Sequence, residues 1–153
     1  MQIKRLSKYM FPAIVGTDSR DSGVYDADTI YCDLSLGFGV KYENQTFRLY
    51  GINAYEVRRN ASKGIAEEHV KKGKLGRDET RNLMPDGTEI MIESIKDGKG
   101  KYGRYLAIVY VPVESNPINL DGIRLLAVDS DDPTHFCLND WLVREGHAWV
   151  QKY

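Results

Sequence analysis

The chain has 153 residues, 42% hydrophobic and 28% charged, with a net charge of −1. That size and apolar content fit one globular domain with a real core, spanning 1–153, and exclude a repeat or low-complexity chain. Its two cysteines, Cys32 and Cys137, are too few for a disulfide scaffold and read as reduced core thiols. The apolar run Met10 to Val15 is short and broken by Pro12, so neither a signal segment nor a membrane span is expected, and a cytoplasmic location is the plain reading. Near-zero net charge is unpromising for a polyanionic partner, but the charge is unevenly spread. Val57 to Arg81 holds eight basic residues against four acidic ones, whereas Val111 to Asp140 holds six acidic residues and a single arginine. Either run can be a solvated face.

In chain order, bursts of β-branched and aromatic residues at Thr29 to Leu36, Thr46 to Ile52, Glu89 to Ile95 and Tyr105 to Val111 predict antiparallel strands. Glu43-Asn44-Gln45 is expected to close one turn, and Asp97-Gly98-Lys99-Gly100 another. Helical spacing runs from Gly64 to Lys72 and on through Leu83, then again over Leu138 to Glu145, with Asn139 or Asp140 as cap and Gly146 as terminator. The segment Pro112 to Phe136, with three prolines and a possible strand at Ile123 to Val128, reads as an excursion from the core. About five strands with two or three helices make a small α+β domain, and the spacing favours a closed, barrel-like sheet.

Four stretches carry chemistry. Asp26-Ala27-Asp28-Thr29 sets two carboxylates two residues apart at a strand entrance, where hard paired oxygens suit Mg²⁺ or Ca²⁺ and where Asp is equally an ordinary turn residue. Arg48 falls on the strand face opposite Phe47 and Leu49, and its partner is either a neighbouring carboxylate or a phosphate taken bidentately. Glu56 follows the strand end, where a loop can hold a carboxylate near a metal and a water or simply in solvent. Lys101-Tyr102-Gly103-Arg104 opens the next strand, and Arg104 at its rim could offset the charge of a phosphoryl transition state.

The order D-x-D-T at Asp26, F-R-L-x-x-I-x-x-x-E at Phe47, K-Y-G-R at Lys101 and N-D-x-L-V-R-x-G at Asn139 resembles the staphylococcal nuclease (thermonuclease) family. The resemblance runs over about 10–150, with a long gap at 112–136. It implies a five-stranded OB-fold β-barrel with two to three helices and an inserted loop or hairpin at about 112–136. It also implies a metal-dependent nuclease that hydrolyses phosphodiester bonds of DNA or RNA by in-line attack of water, leaving 3′-phosphate and 5′-hydroxyl ends. Arg48 and Arg104 match phosphate-binding arginines and Glu56 the acid beside the attacking water, which makes these three the expected catalytic residues. Asp28 matches a ligand of a divalent cation, Ca²⁺ first and Mg²⁺ or Mn²⁺ as alternatives, with Asn53 and Ala54 at the other metal-side positions. Lys101 and Tyr102 are expected to bind substrate, Tyr102 as a wall of the nucleotide pocket.

Departures from the pattern are equally plain. Asn53 stands where the family has an aspartate, and Ala54-Tyr55 where a proline follows, so a weakened cation site is expected. The acidic insertion has no family counterpart, and the additional C-terminal helix of longer members is expected to be missing. An alternative reading is a weak or inactive nuclease-like OB-fold module that binds nucleic acid by charge and stacking. Retention of Arg48, Glu56 and Arg104 favours activity. A protein-binding role for the basic segment after Glu56 rests on charge alone. His69 and His147 read as ordinary surface or core residues, His135-Phe136-Cys137 as too sparse for zinc, and Trp141 and Trp149 as packing residues.

Overall fold

In the computed structural model of the chain, which describes residues 3–58, 66–99 and 105–151, period-two burial governs the strands. Ala13 and Val15 face inward from one strand, and Ile30, Cys32 and Leu34 from another. The strands are β1 (Ile3–Arg5), β2 (Met10–Val15), β3 (Val24–Asp26), β4 (Thr29–Ser35), β5 (Lys41–Leu49), β6 (Ile52–Ala54), β7 (Glu89–Lys99), β8 (Tyr105–Pro112), β9 (Leu125–Ala127), β10 (His135–Cys137) and β11 (Ala148–Val150). Helix α1 spans Glu67–Leu83 and α2 spans Leu138–Arg144. The fold is α+β, a mixed sheet with two helices among the described residues. None of those helices is long and apolar enough to cross a membrane.

Strand pairing runs β8-β5-β4-β2-β7, and β7 also pairs with β8, which bends the sheet into a barrel-like ring. Every pairing in that ring is antiparallel except β5 with β8, where Phe47, Arg48 and Leu49 lie parallel to Tyr105, Leu106 and Ala107. The ring is partial because β8 divides one edge between two partners: β5 takes Tyr105 to Ala107, and β10 takes Tyr110 to Pro112. Beyond β10 the sheet continues outward through β9 to β1.

Asn139 sits at the changeover. It is 1% exposed, accepts a bond from the Val109 N–H at 3.1 Å, and donates its amide to the carbonyls of Tyr50 (3.0 Å) and Ala107 (3.3 Å). Backbone groups that lose a strand partner there are satisfied by a side chain instead. The sequence expectation that Asn139 or Asp140 caps α2 is therefore corrected. Cys137 occupies the N-cap without a side-chain bond, and the Asp140 carboxylate turns to Arg124, taking its backbone N–H at 2.8 Å and its guanidinium at 2.9 Å. Burial opposes ionisation of Asp140, but the bonds from Arg124 outweigh it and hold the carboxyl below its ordinary value.

That clamp also corrects the reading of 112–136 as an excursion. Ile123, Leu125, Leu126, Ala127 and Phe136 from this stretch are all buried in the core, while Asp129 and Asp131 to Asp132 stay at the rim. Turn positions differ as well. The chain reverses over Leu36 to Val40, closed by the Leu36 N–H on the Val40 carbonyl at 2.9 Å, with Gly37 and Gly39 at φ of 85° and 75°. Asn44, expected in a turn, lies within β5 at φ 58°, beside the register shift between Cys32 and Leu34 on β4. Asp97 to Lys99 continue β7 rather than turning, with an irregular register between Ser94 and Lys99. The helix foreseen from Gly64 starts at Glu67 and passes unbroken through Gly73 and Gly76; Gly64 itself lies outside the described residues. Trp141 packs in the core as expected, whereas Trp149 is 42% exposed. Cys32 and Cys137 are free and buried, and burial raises both thiols to about 12.

Replacing Asn139 by alanine takes the side-chain acceptor from the buried Val109 N–H and removes one hydrogen bond from each of the Tyr50 and Ala107 carbonyls. A loss of about 2–4 kcal/mol in urea unfolding is expected. A loss within 0.5 kcal/mol of wild type would show that the ring does not depend on this side chain.

Candidate active site

The β3-β4 turn, the end of β5 and the loop after β6 converge on a cleft of about 540 Å³ lined by Asp26, Asp28, Thr29, Arg48, Asn53 and Glu56, with Arg20, Tyr25, Tyr31 and Thr46 completing its wall. Asp26 and Asp28 are 6% and 7% exposed. The tight β3-β4 connection bonds to itself, the Asp28 N–H donating to Asp26 Oδ1 at 3.2 Å. Asp28 then reaches across the fold, with Oδ2 accepting the Ala54 N–H at 2.9 Å and lying 3.5 Å from Arg48 Nη2. Its other oxygen takes the Thr29 hydroxyl at 3.4 Å.

Arg48 pairs across the ladder with Thr29. Its guanidinium donates to the Ile52 carbonyl at 3.0 Å and the Leu49 carbonyl at 3.3 Å, and it also bonds the Asn53 side-chain oxygen. The carboxylate partner considered from the sequence is thus Asp28. Asn53 hands its amide nitrogen on to Gln151. Ala54 is present through its backbone N–H.

Glu56 is exposed, and the loop beneath its side chain is fixed. Its N–H donates to His69 Nε2 at 2.8 Å, Tyr55 packs edge-on against His69 and Trp149, and Val57 is buried. The loop also presses on α1 where a side chain would be in the way. A Cβ on Gly73 would stand 2.0 Å from the Glu56 carbonyl oxygen. His69, read as an ordinary residue from the sequence, therefore holds the candidate acid in place, together with Gly73. Their spacing of four on one helix face, with a glycine in a helix interior, was the available signal. At the far end of α1, Arg81 donates to the Val24 carbonyl at 2.8 Å and 3.1 Å, so part of the basic run braces β3 and the Asp26 turn.

Lys101, Tyr102 and Arg104 lie outside the described residues. No family model matches the chain, and no curated protein matches it.

Burial, and next the charge of Asp28, push the Asp26 carboxyl up to about 9, with Glu56 adding in the same direction. Among the described residues no three His, Cys, Asp or Glu side chains gather as a metal cage. A cation here would meet two carboxylates, Asp26 and Asp28, beside neutral oxygens and water. That donor set fits a hard divalent ion, and two crowded carboxyls are what such a charge relieves. Asn53, with its oxygen on Arg48, is engaged elsewhere in this arrangement.

A carboxyl with a raised folded value binds its proton more tightly in the fold than in the unfolded chain. Its contribution to stability is intact below the ordinary carboxylate value and is lost as pH rises toward 9. Asp26→Asn is therefore expected to raise the Tm of cation-free protein at pH 8, on the order of 5 °C, with a smaller gain at pH 5. A pH-independent gain measured by calorimetry would refute this account of Asp26.

Proposed function

We propose that the chain is a metal-dependent nuclease built on an OB-type barrel, with Asp28, Arg48, Glu56 and Arg104 as the working residues of one site. The single observation that carries this reading is the cleft itself, which gathers two buried carboxylates, an arginine and an exposed glutamate around one space. The ring order, with its one parallel pair between β5 and β8, supports the barrel. Arg104 enters through the resemblance of Lys101 to Arg104 to the family motif, as do Lys101 and Tyr102 as substrate contacts.

Asp28, with Asp26 beside it, would hold the divalent cation, Ca²⁺ first, which when bound supplies positive charge next to the phosphodiester. Arg48 binds a non-bridging phosphate oxygen, and its orientation is set beforehand by two backbone carbonyls. Glu56 accepts a hydrogen bond from the attacking water and orients it in line with the leaving oxygen. With Asp26 protonated, the cleft's arginines at 20 and 48 balance Asp28 and Glu56, so the bare site is near neutral. A bound divalent ion makes it cationic even if Asp26 gives up its proton, and a polyanion is then the fitting substrate. Asn53 in place of an acid lowers the charge available to the ion, so Asn53→Asp is expected to tighten Ca²⁺ binding in titration calorimetry, and unchanged affinity would refute this reading of Asn53.

The decisive experiment incubates the protein with single-stranded DNA, duplex DNA and RNA in Ca²⁺, Mg²⁺, Mn²⁺ or EDTA. Cleavage with a divalent cation is expected, with loss in EDTA and a fall of about 10³-fold in Glu56→Gln and Arg48→Ala. Cleavage that persists in EDTA would overturn the mechanism, and binding without cleavage under every cation would assign the chain to the inactive binding modules.

Gly73→Ala tests the loop. The added methyl displaces the Glu56 backbone, and a drop of about 100-fold in kcat with retained circular dichroism is expected. Unaltered kcat would mean that the loop position does not govern the chemistry.

A further inference from the structure

Arg20 enters the reading above only as a charge, yet it stands in the wall of the same cleft. Its guanidinium carbon lies 4.3 Å from the centre of the Tyr31 ring, so the cation rests on an aromatic face. Arg20 is exposed, and although Asp18 and Asp21 flank it, no ion pair joins it to either. A guanidinium held over a ring still has N–H groups to offer a ligand, and a guanidinium can take a phosphate bidentately.

The loop that carries Arg20 is tied down. Ser19 donates to the Asn44 side-chain oxygen at 2.7 Å, Thr17 and Ser19 meet at 3.3 Å, and the Gly23 N–H donates to Asp86 at 2.7 Å. Asn44, in its left-handed bulge on β5, also donates its own N–H to Asp33 at 2.7 Å. The bulge thus serves as the anchor that holds this loop over β4.

Register fixes where the cation falls relative to the reacting centre. Tyr31 pairs with Thr46 and Thr29 pairs with Arg48, so both pairs share one face of the β4-β5 ladder, two residues apart. Two residues of strand span about 7 Å, comparable with the step between neighbouring phosphates of an extended nucleic-acid strand. We infer that Arg20, stacked on Tyr31, binds the phosphate next to the scissile one and so makes the site selective for strands of several nucleotides over a single phosphodiester. This inference rests on the nuclease reading of the same cleft.

The test compares an unphosphorylated dinucleotide, which carries one phosphodiester, with a pentanucleotide of the same base. In wild type the pentanucleotide has the higher kcat/KM. Arg20→Ala is expected to reduce that preference about tenfold, through KM, and to lower the salt slope of pentanucleotide binding by about one. Arg20→Lys restores part of the preference, since it returns the charge without the fork, and Tyr31→Leu gives an intermediate loss. A preference that Arg20→Ala leaves intact overturns the inference while the nuclease reading stands. If wild type cleaves neither substrate, anisotropy of a labelled pentanucleotide decides. Binding weakened by Arg20→Ala retains the phosphate contact and leaves the nuclease reading to the longer substrates, whereas binding that Arg20→Ala leaves unchanged, or no binding by wild type, overturns the inference.

Discussion

A single buried amide lets this sheet close on itself and also branch. β8 hands one edge from β5 to β10 within a few residues, and each handover in a sheet strands backbone groups that water cannot reach. Asn139 takes the Val109 N–H and gives its own amide to Tyr50 and Ala107, so α2, β8 and the turn after β5 are joined through one side chain. One wall of the cleft is hung from those elements. The end of β5 carries Arg48, and the strand that follows carries Asn53 and Ala54. β11, the continuation of α2, pairs with β6 from the other side.

Asp28 plays the corresponding part inside the cleft. It is simultaneously a turn residue of the β3-β4 connection and the acceptor of the Ala54 N–H, which joins two remote parts of the chain through one carboxylate. The same group faces Arg48 and raises the proton affinity of Asp26. On the proposed reading, structural and chemical duties coincide in this residue. A carboxylate that also supports the backbone is positioned before any ligand arrives, and rigid positioning is the main thing that phosphoryl chemistry would ask of the site. Glu56 is held differently, by contacts made with its backbone and its neighbours, so its side chain remains available.

Much of this was legible beforehand, and for physical reasons. Asp28, Arg48 and Glu56 stand in strand and turn contexts that local patterning marks, whereas Asn53 and Ala54 were pointed to only by the family resemblance; all five lie within 29 residues and the structure brings them to one cleft. The buried thiols and the core position of Trp141 followed from composition. What escaped depends on contacts between distant segments. Nothing local to Asn139 distinguishes a helix cap from a plug for another strand's edge, and Asn44 reads as a turn residue because the left-handed backbone it adopts is shared by turns and bulges. The stretch 112–136 looked peripheral on account of its prolines and acids, yet Ile123, Leu125, Leu126, Ala127 and Phe136 complete the core on and beside β10. Trp149, read as a packing residue, does pack on Tyr55, but from β11 at a sheet edge, so it stays partly in water.

The two buried thiols have a consequence of their own. Cys32 belongs to the ring through β4, and Cys137 to the outward branch where β10 meets α2, and each is fully enclosed and held far from its ionised form. A thiol in that condition reacts with an alkylating reagent only after its surroundings open. The chain thus carries two native reporters, one in each half of its sheet, that would record whether the ring and the branch breathe together or separately without any label being introduced.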